Sequence, residues 1–162
     1  MLIDDATEAD VPEIAAIYND VIATSTAVFS DLPVTVEDRL EWLGSRRARG
    51  RPVIVARRGG AVAGFASYGD FRPWPGYART VEHSVHVAAS ERGRGIGRSL
   101  VQEILVRARD AGMHVVVAGI DAANEPSLRL HEQLGFDQVA RMPEVARKFD
   151  RWVDLVLMQI RL

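Results

Sequence analysis

The stretch TVEHSVHVAASERGRGIGRSL, residues 80–100, decides how this chain folds. Its first eight residues alternate as a strand does, sending Val81, His83, Val85 and Val87 to one face and Glu82, Ser84 and His86 to the other. Glycines at 93, 95 and 97 then let the backbone turn closely. From Gly95 to Ala111 the pattern is helical, with Ile96, Leu100, Ile104, Leu105 and Ala108 on one side and Gly112 as a stop. A strand that enters a helix through such a turn gathers backbone N–H groups into one concavity, an anion site. Arg92, Arg94 and Arg98 add charge suited to a pyrophosphate or a ribose phosphate.

The two common nucleotide loops do not fit. A Walker loop needs a lysine after its last glycine, and none follows here. A dinucleotide fingerprint needs Gly-x-Gly-x-x-Gly after a first strand, whereas this run is Gly-x-Gly-x-Gly after a third.

On the N-terminal side, PVIVAR (52–57) and AVAGFASYG (61–69) form a hairpin about Gly59-Gly60, and TVEHSVHV completes the meander. Two helices precede it. One begins after Thr7, with Asp10 and Pro12 in its first turn and a stripe of Val11, Ile14, Tyr18 and Val21 or Ile22; the other begins at Thr35 to Asp38. The segment DFRPWPGYAR, interrupted by two prolines and a glycine, reads as a loop. On the C-terminal side MHVVVAGI (113–120) reads as a strand buried on both faces, and SLRLHEQLG as a helix ending at Gly135. The strands FDQVAR and WVDLVLMQI follow, separated by MPEVARKFDR. The order β-α-α-β-β-β-α-β-α-β-β implies an α/β domain of the α+β kind, a mixed and mostly antiparallel sheet of about seven strands with about four helices.

At 162 residues this is one domain, 1–162, with one sizeable core. A formal charge of -2 gives no reason to expect nucleic acid or an anionic membrane as partner, and points to a small-molecule ligand. With no cysteine there is no disulfide and no thiolate nucleophile; with no export signal or long apolar run, a cytoplasmic protein is expected. Two metal-like strings fail: in HSVH the histidines face opposite sides of a strand, and HEQLG has Gly135 where a zinc helix needs histidine. No metal is expected.

Arg92 to Gly97 match the pattern Gln/Arg-x-x-Gly-x-Gly/Ala, and the chain here resembles the GNAT N-acetyltransferases. The likeness continues through DAANEPSLRLHEQLGF. With TVEHSVHV, YGDFRPWPGY and KFDRWVDLVLMQ it is similar to the phosphinothricin and methionine sulfoximine (or sulfone) acetyltransferase branch. The resemblance implies the acyl-CoA N-acyltransferase fold, acetyl-CoA as cosubstrate, a small amine as acceptor and a homodimer. It implies cofactor contacts at Val85, His86, Val87, Arg92, Gly93, Arg94, Gly95, Ile96, Gly97, Arg98, Asn124 and Ser127, with the backbone of Val85 and Val87 offered to the pantetheine amides.

Acetyl transfer to an amine needs a proton acceptor, because an ammonium cannot attack. Glu82, on the polar face of a central strand, is the residue placed to do it, with desolvation raising its pKa. His131 stands where many family members carry a tyrosine acid. It is expected to donate a proton to the thiolate, hold a water, contact CoA or pack in the core. His83 is expected to pack or to bond the substrate loop, and His86 to face solvent or bond backbone. Substrate is expected to meet Phe29, Phe71, Arg72, Pro73 and Trp74 as well as Glu82, His83 and Ser84, with Arg72 pairing a carboxylate, phosphinate or sulfone oxygen.

Overall fold

The computed structural model covers residues 1–162, and its elements follow in the order the sequence implies. They are β1 (Leu2–Asp5), α1 (Val11–Thr24), α2 (Val36–Ala48), β2 (Val53–Arg58), β3 (Ala61–Asp70), β4 (Thr80–Val87), α3 (Ile96–Asp110), β5 (Val115–Asp121), α4 (Glu125–Gln133), β6 (Asp137–Lys148) and β7 (Arg151–Arg161). One seven-stranded sheet has the order β1-β2-β3-β4-β5-β7-β6. Only β4 and β5 run parallel, joined by the α3 crossover, so the sheet is mixed.

The strands bury both faces. Ile54 and Ala56 of β2 pack with α3 through Leu100, Val101 and Ile104, while Val53 and Val55 pack on the other side with Ile14 and Ile17 of α1 and Leu43 of α2. Alternation at period two therefore feeds two cores, which is why β2 and β3 read as almost unbroken apolar runs. Helix starts are set by short polar side chains. Thr7 and Asp10 form a capping box at a 3-10 turn before α1; in α2, Asp38 N–H donates to Thr35 Oγ1 at 3.1 Å and Thr35 N–H to Asp38 Oδ2 at 2.7 Å.

One expectation is corrected. MPEVARK does not separate the last strands: β6 continues through it to Lys148, and only Phe149 and Asp150 make the turn. Pro143 hid this, since proline is excluded from central strands but tolerated at an edge, and β6 is the edge. The register slips between Met142 and Ala146, Glu144 has φ 51°, and its N–H is taken by Asp154 Oδ1 at 3.0 Å. Phe149 and Asp150 both have positive φ (50° and 57°), the geometry of a two-residue hairpin that glycine or asparagine usually signals. The burial expected of β5 on both faces is seen at Val116, Val117, Ala118, Ile120 and Asp121, with Val115 half-buried and Gly119 exposed.

Gly64 lies opposite Val87 in the β3/β4 ladder. A Cβ there would stand 2.7 Å from the His86 carbonyl oxygen and 3.2 Å from Val87 Cα, so backbone would have to move. Gly64→Ala is expected to destabilise the fold by about 1–3 kcal/mol, the usual range for overpacking. An unchanged urea midpoint would contradict this.

Candidate active site

The parallel pairing of β4 and β5 is brief. Thr80 to Glu82 match Val115 to Val117, and beyond that the strands part. Ala88 N–H donates to Ala63 O on β3, and alternation back along β4 turns the N–H and C=O of Val85 and Val87 the other way, into the gap. Val87 O is met there by Arg92 Nε at 3.2 Å; the Val85 groups have no partner strand. A cavity of about 880 Å³ opens over this gap and runs along both faces of β4.

The glycine turn closes one end. Gly93 (φ 75°) and Gly95 (φ 79°) take the left-handed conformation that glycine allows, and Gly95 caps α3. The first bond closing onto this turn runs from Ser99 N–H to Gly95 O, so the N–H groups of Ile96, Gly97 and Arg98 are free at the cavity edge. Arg92 and Arg98 line the cavity. Arg94 does not; it turns outward beside Glu91 at 3.7 Å. Arg98 bonds Gln133 Oε1 and ties α3 to α4. Asn124 caps α4, accepting from Ser127 N–H at 3.2 Å, and both residues line the cavity. An extended chain ending in phosphates fits this shape: a backbone slot beside Val85 and Val87, then a helix N-terminus with two guanidinium groups.

Glu82 stands on the face of β4 turned toward α1 and α2. It has no hydrogen bond to its carboxylate, and Oε1 lies so close over Gly119 that a Cβ there would be 3.0 Å away. The side chain is exposed along the cavity, so its desolvation is partial. Desolvation raises its pKa above the ordinary glutamate value, with the Arg72 charge opposing.

The three site histidines are all buried. His131 Nδ1 lies 2.7 Å from the Ser127 carbonyl oxygen, which can only accept, so Nδ1 carries the proton and donates. In the neutral ring Nε2 is then an acceptor, and it takes a bond from His83 Nε2 at 3.0 Å. That leaves His83 Nδ1 a bare lone pair, and it is indeed a buried atom with no partner. Burial holds His83 down to about 3, with the nearby His131 and His86 adding to the effect, and it lowers His131 as well. The proton-donor role expected of His131 thus finds no free N–H: one is spent on α4 and the other nitrogen accepts. His86 does not face solvent. It sits edge-on to Tyr18 and against Phe65, with ring centroids at 5.3 and 5.2 Å, and burial followed by Arg39 and Arg92 lowers it to about 4.

The expected substrate loop is not in the cavity wall. Phe71 is half-buried against Tyr77; Arg72, Pro73 and Trp74 are exposed, as is Phe29. The loop leaves the sheet at the end of β3 and passes through a 3-10 turn at Pro75–Tyr77, with the Arg72 charge still bearing on Glu82. Ser84 does line the cavity, as do Glu82 and His83. In place of the loop, α1 and α2 contribute Tyr18, Arg39, Trp42 and Arg46. The signal for these was available: Arg39 and Arg46 are seven apart on α2 and share the face of Leu43, a stripe that should be apolar. Ala27 and Val28 complete this wall. They are fastened by Lys148, whose buried Nζ donates to Ser25 O and Val28 O at 2.7 Å each, and by Thr26 Oγ1 donating to the buried Asp121.

Comparison with known proteins agrees with this architecture. Residues 14–136 match the Acetyltransferase (GNAT) family. The chain is 47% identical over 159 residues to the L-methionine sulfoximine/L-methionine sulfone acetyltransferase of Pseudomonas aeruginosa strain PAO1, covering 98% of this chain and 92% of that one. It superimposes on a ribosomal-protein-alanine N-acetyltransferase from Brucella melitensis with a TM-score of 0.99 and 46% identity, covering 100% of both chains. The yncA protein of Salmonella typhimurium, solved with its cofactor acetyl-CoA, gives 0.98 at 44% identity, covering 100% of this chain and 94% of that one.

Proposed function

The chain belongs to the acetyltransferase (GNAT) family, and from that premise we propose that it moves the acetyl group of acetyl-CoA to the α-amine of a small amino-acid-like compound. The acceptor is of methionine sulfoximine, methionine sulfone or phosphinothricin type, and it reacts by direct attack in a ternary complex. The observation that carries this reading is the unbonded, desolvated Glu82 carboxylate in the same cavity as the free N–H groups of α3.

Bound acetyl-CoA supplies the activated acyl group. The chain's own work is to hold and to deprotonate. The helix α3 N-terminus with Arg92, Gly93, Gly95, Ile96, Gly97 and Arg98 takes the phosphates; Asn124 and Ser127 border the pantetheine arm; the Val85 N–H polarises the thioester oxygen. Glu82 takes the proton from the acceptor ammonium, directly or through a water. His83 and His131, bonded to each other, hold α4 against β4.

The expected homodimer is supported by the exposed aromatic residues Trp74, Tyr77, Phe149 and Trp152, which a second subunit would cover. No helix is long and apolar enough to cross a membrane, and the lack of cysteine suits a reducing cytoplasm.

Thiol release from acetyl-CoA tests the function. Methionine sulfone, methionine sulfoximine and phosphinothricin should be turned over, and peptides beginning with alanine and polyamines should not. Acetyl-CoA binding without turnover of any small amine would overturn the reading in favour of a regulatory CoA-binding module. Turnover of peptides alone would favour a protein N-terminus.

A further inference from the structure

Two guanidinium groups in the cavity wall have no anion. The guanidinium groups of Arg39 and Arg46 make no hydrogen bond and no ion pair within the chain, and the Nε of each is buried without a partner. Burial presses both below the usual arginine range, yet a guanidinium stays charged in a protein. Arg39 at least rests on aromatic faces, 4.6 Å from the Tyr18 centroid and 5.0 Å from that of Trp42. Arg46 has no such support. The carboxylate that bears on it, Asp70, is already engaged by Arg51 Nε at 3.0 Å and Arg49 Nη1 at 3.1 Å. A buried cation kept without a counter-ion is costly, and a ligand that brings one relieves it.

The sheet beneath shows where that ligand would lie. The Arg46 guanidinium lies on Gly69, so close that any Cβ there would overlap Nη1. Gly69 pairs with Glu82 across β3 and β4, so the two positions share a face. Glu82 leans the opposite way, over Gly119 of β5. Two glycines thus form the floor on either side of β4, one under a cation and one under an anion. A zwitterion lying across β4 would meet one partner at each end.

We propose that Arg46 anchors the α-carboxylate of the acceptor and so presents its α-amine to Glu82. This rests on the function proposed above and narrows it: the acceptor class is a free α-amino acid. A peptide lacks the carboxylate at that position, and a polyamine would bring a second cation to Arg46. Arg72, on the 71–77 loop outside the cavity wall, is the other guanidinium whose charge bears on Glu82, and the test sets the two arginines against each other.

The test compares methionine sulfone with its α-carboxamide in the wild type, Arg46→Met, Arg46→Lys and Arg72→Met. Arg46→Met should lower kcat/KM for the acid about 30-fold more than for the amide, the loss falling on KM, since a charge-assisted bond of that order is removed. Arg46→Lys should recover part of the difference, and Arg72→Met should leave the acid-to-amide ratio unchanged. The Arg46 side chain bonds nothing in the protein, so the thermal midpoint should not fall. As an independent handle, Gly69→Ala, which displaces the guanidinium, should lower the same ratio. Equal losses for acid and amide, or collapse of the ratio in Arg72→Met instead, would overturn the assignment. Failure of the broader function reads differently, because the wild type itself would then turn over neither compound.

Discussion

Glu82→Gln is expected to lower kcat by about 10² to 10⁴-fold, the range for loss of a positioned general base, while raising the thermal midpoint. The two effects have one cause. Desolvation raises the folded-state pKa of Glu82 above its unfolded value, so the fold favours the protonated carboxyl. The stability gained from that proton is present below the unfolded pKa and is lost as pH rises through the folded one. Near neutrality the ionised group therefore burdens the fold, and a neutral isostere removes the burden. In the wild type, kcat/KM should decline on the acid side with an apparent pKa above the ordinary glutamate value. Kinetics from pH 6 to 9 with parallel thermal melts check both effects. A glutamine variant with full activity over that range would end the general-base assignment.

Stability should also fall steeply as pH drops from about 6.5 to 4.5, through His83 and His86. Their folded pKa values, about 3 and about 4, lie below the unfolded value of 6.5. The unfolded chain thus takes up protons first on acidification. The contribution is complete above the unfolded pKa and is lost as pH falls toward the folded ones, at about 1.4 kcal/mol per pH unit for each histidine. Two histidines over two units give about 5 kcal/mol, comparable with the whole stability of many domains. The carboxylates held low by hydrogen bonds and arginines, Asp10, Asp70 and Asp154, act in a lower window, below their ordinary 3.8. Urea titrations at several pH values check the slope, and His86→Phe should reduce it, since one of the three depressed histidines is removed. A flat profile from pH 6.5 to 4.5 would mean that these histidines are not held neutral.

The sequence was most informative where function depends on one element's own alternation or turn. The two faces of β4, the backbone direction of Val85 and Val87, and the left-handed glycines before α3 all follow from local pattern. What it did not disclose depends on which faces meet. Nothing local links His83 to His131, 48 positions away, yet their bond fixes the tautomer of both rings. The 71–77 loop looked like a pocket wall because aromatic and proline residues suit one, but its direction is set by where β3 ends. Arg46 does not stand out in the sequence, because an arginine on a helix is usually solvated. Its place on a stripe shared with Leu43 was the available clue, and only Gly69, on another strand, completed it.

The parting of β4 from β5 leaves a sheet with rungs missing at its centre, and a ligand that bonds the Val85 backbone stands in for a strand. Occupancy then becomes part of the architecture. By mass action, a ligand at a hundred times its dissociation constant adds about 2.7 kcal/mol to the folded state. The fold is thus most resistant to unfolding when acyl donor is plentiful. As the donor runs low, the idle enzyme is the form most open to proteolysis, which links its lifetime to the metabolic supply it consumes.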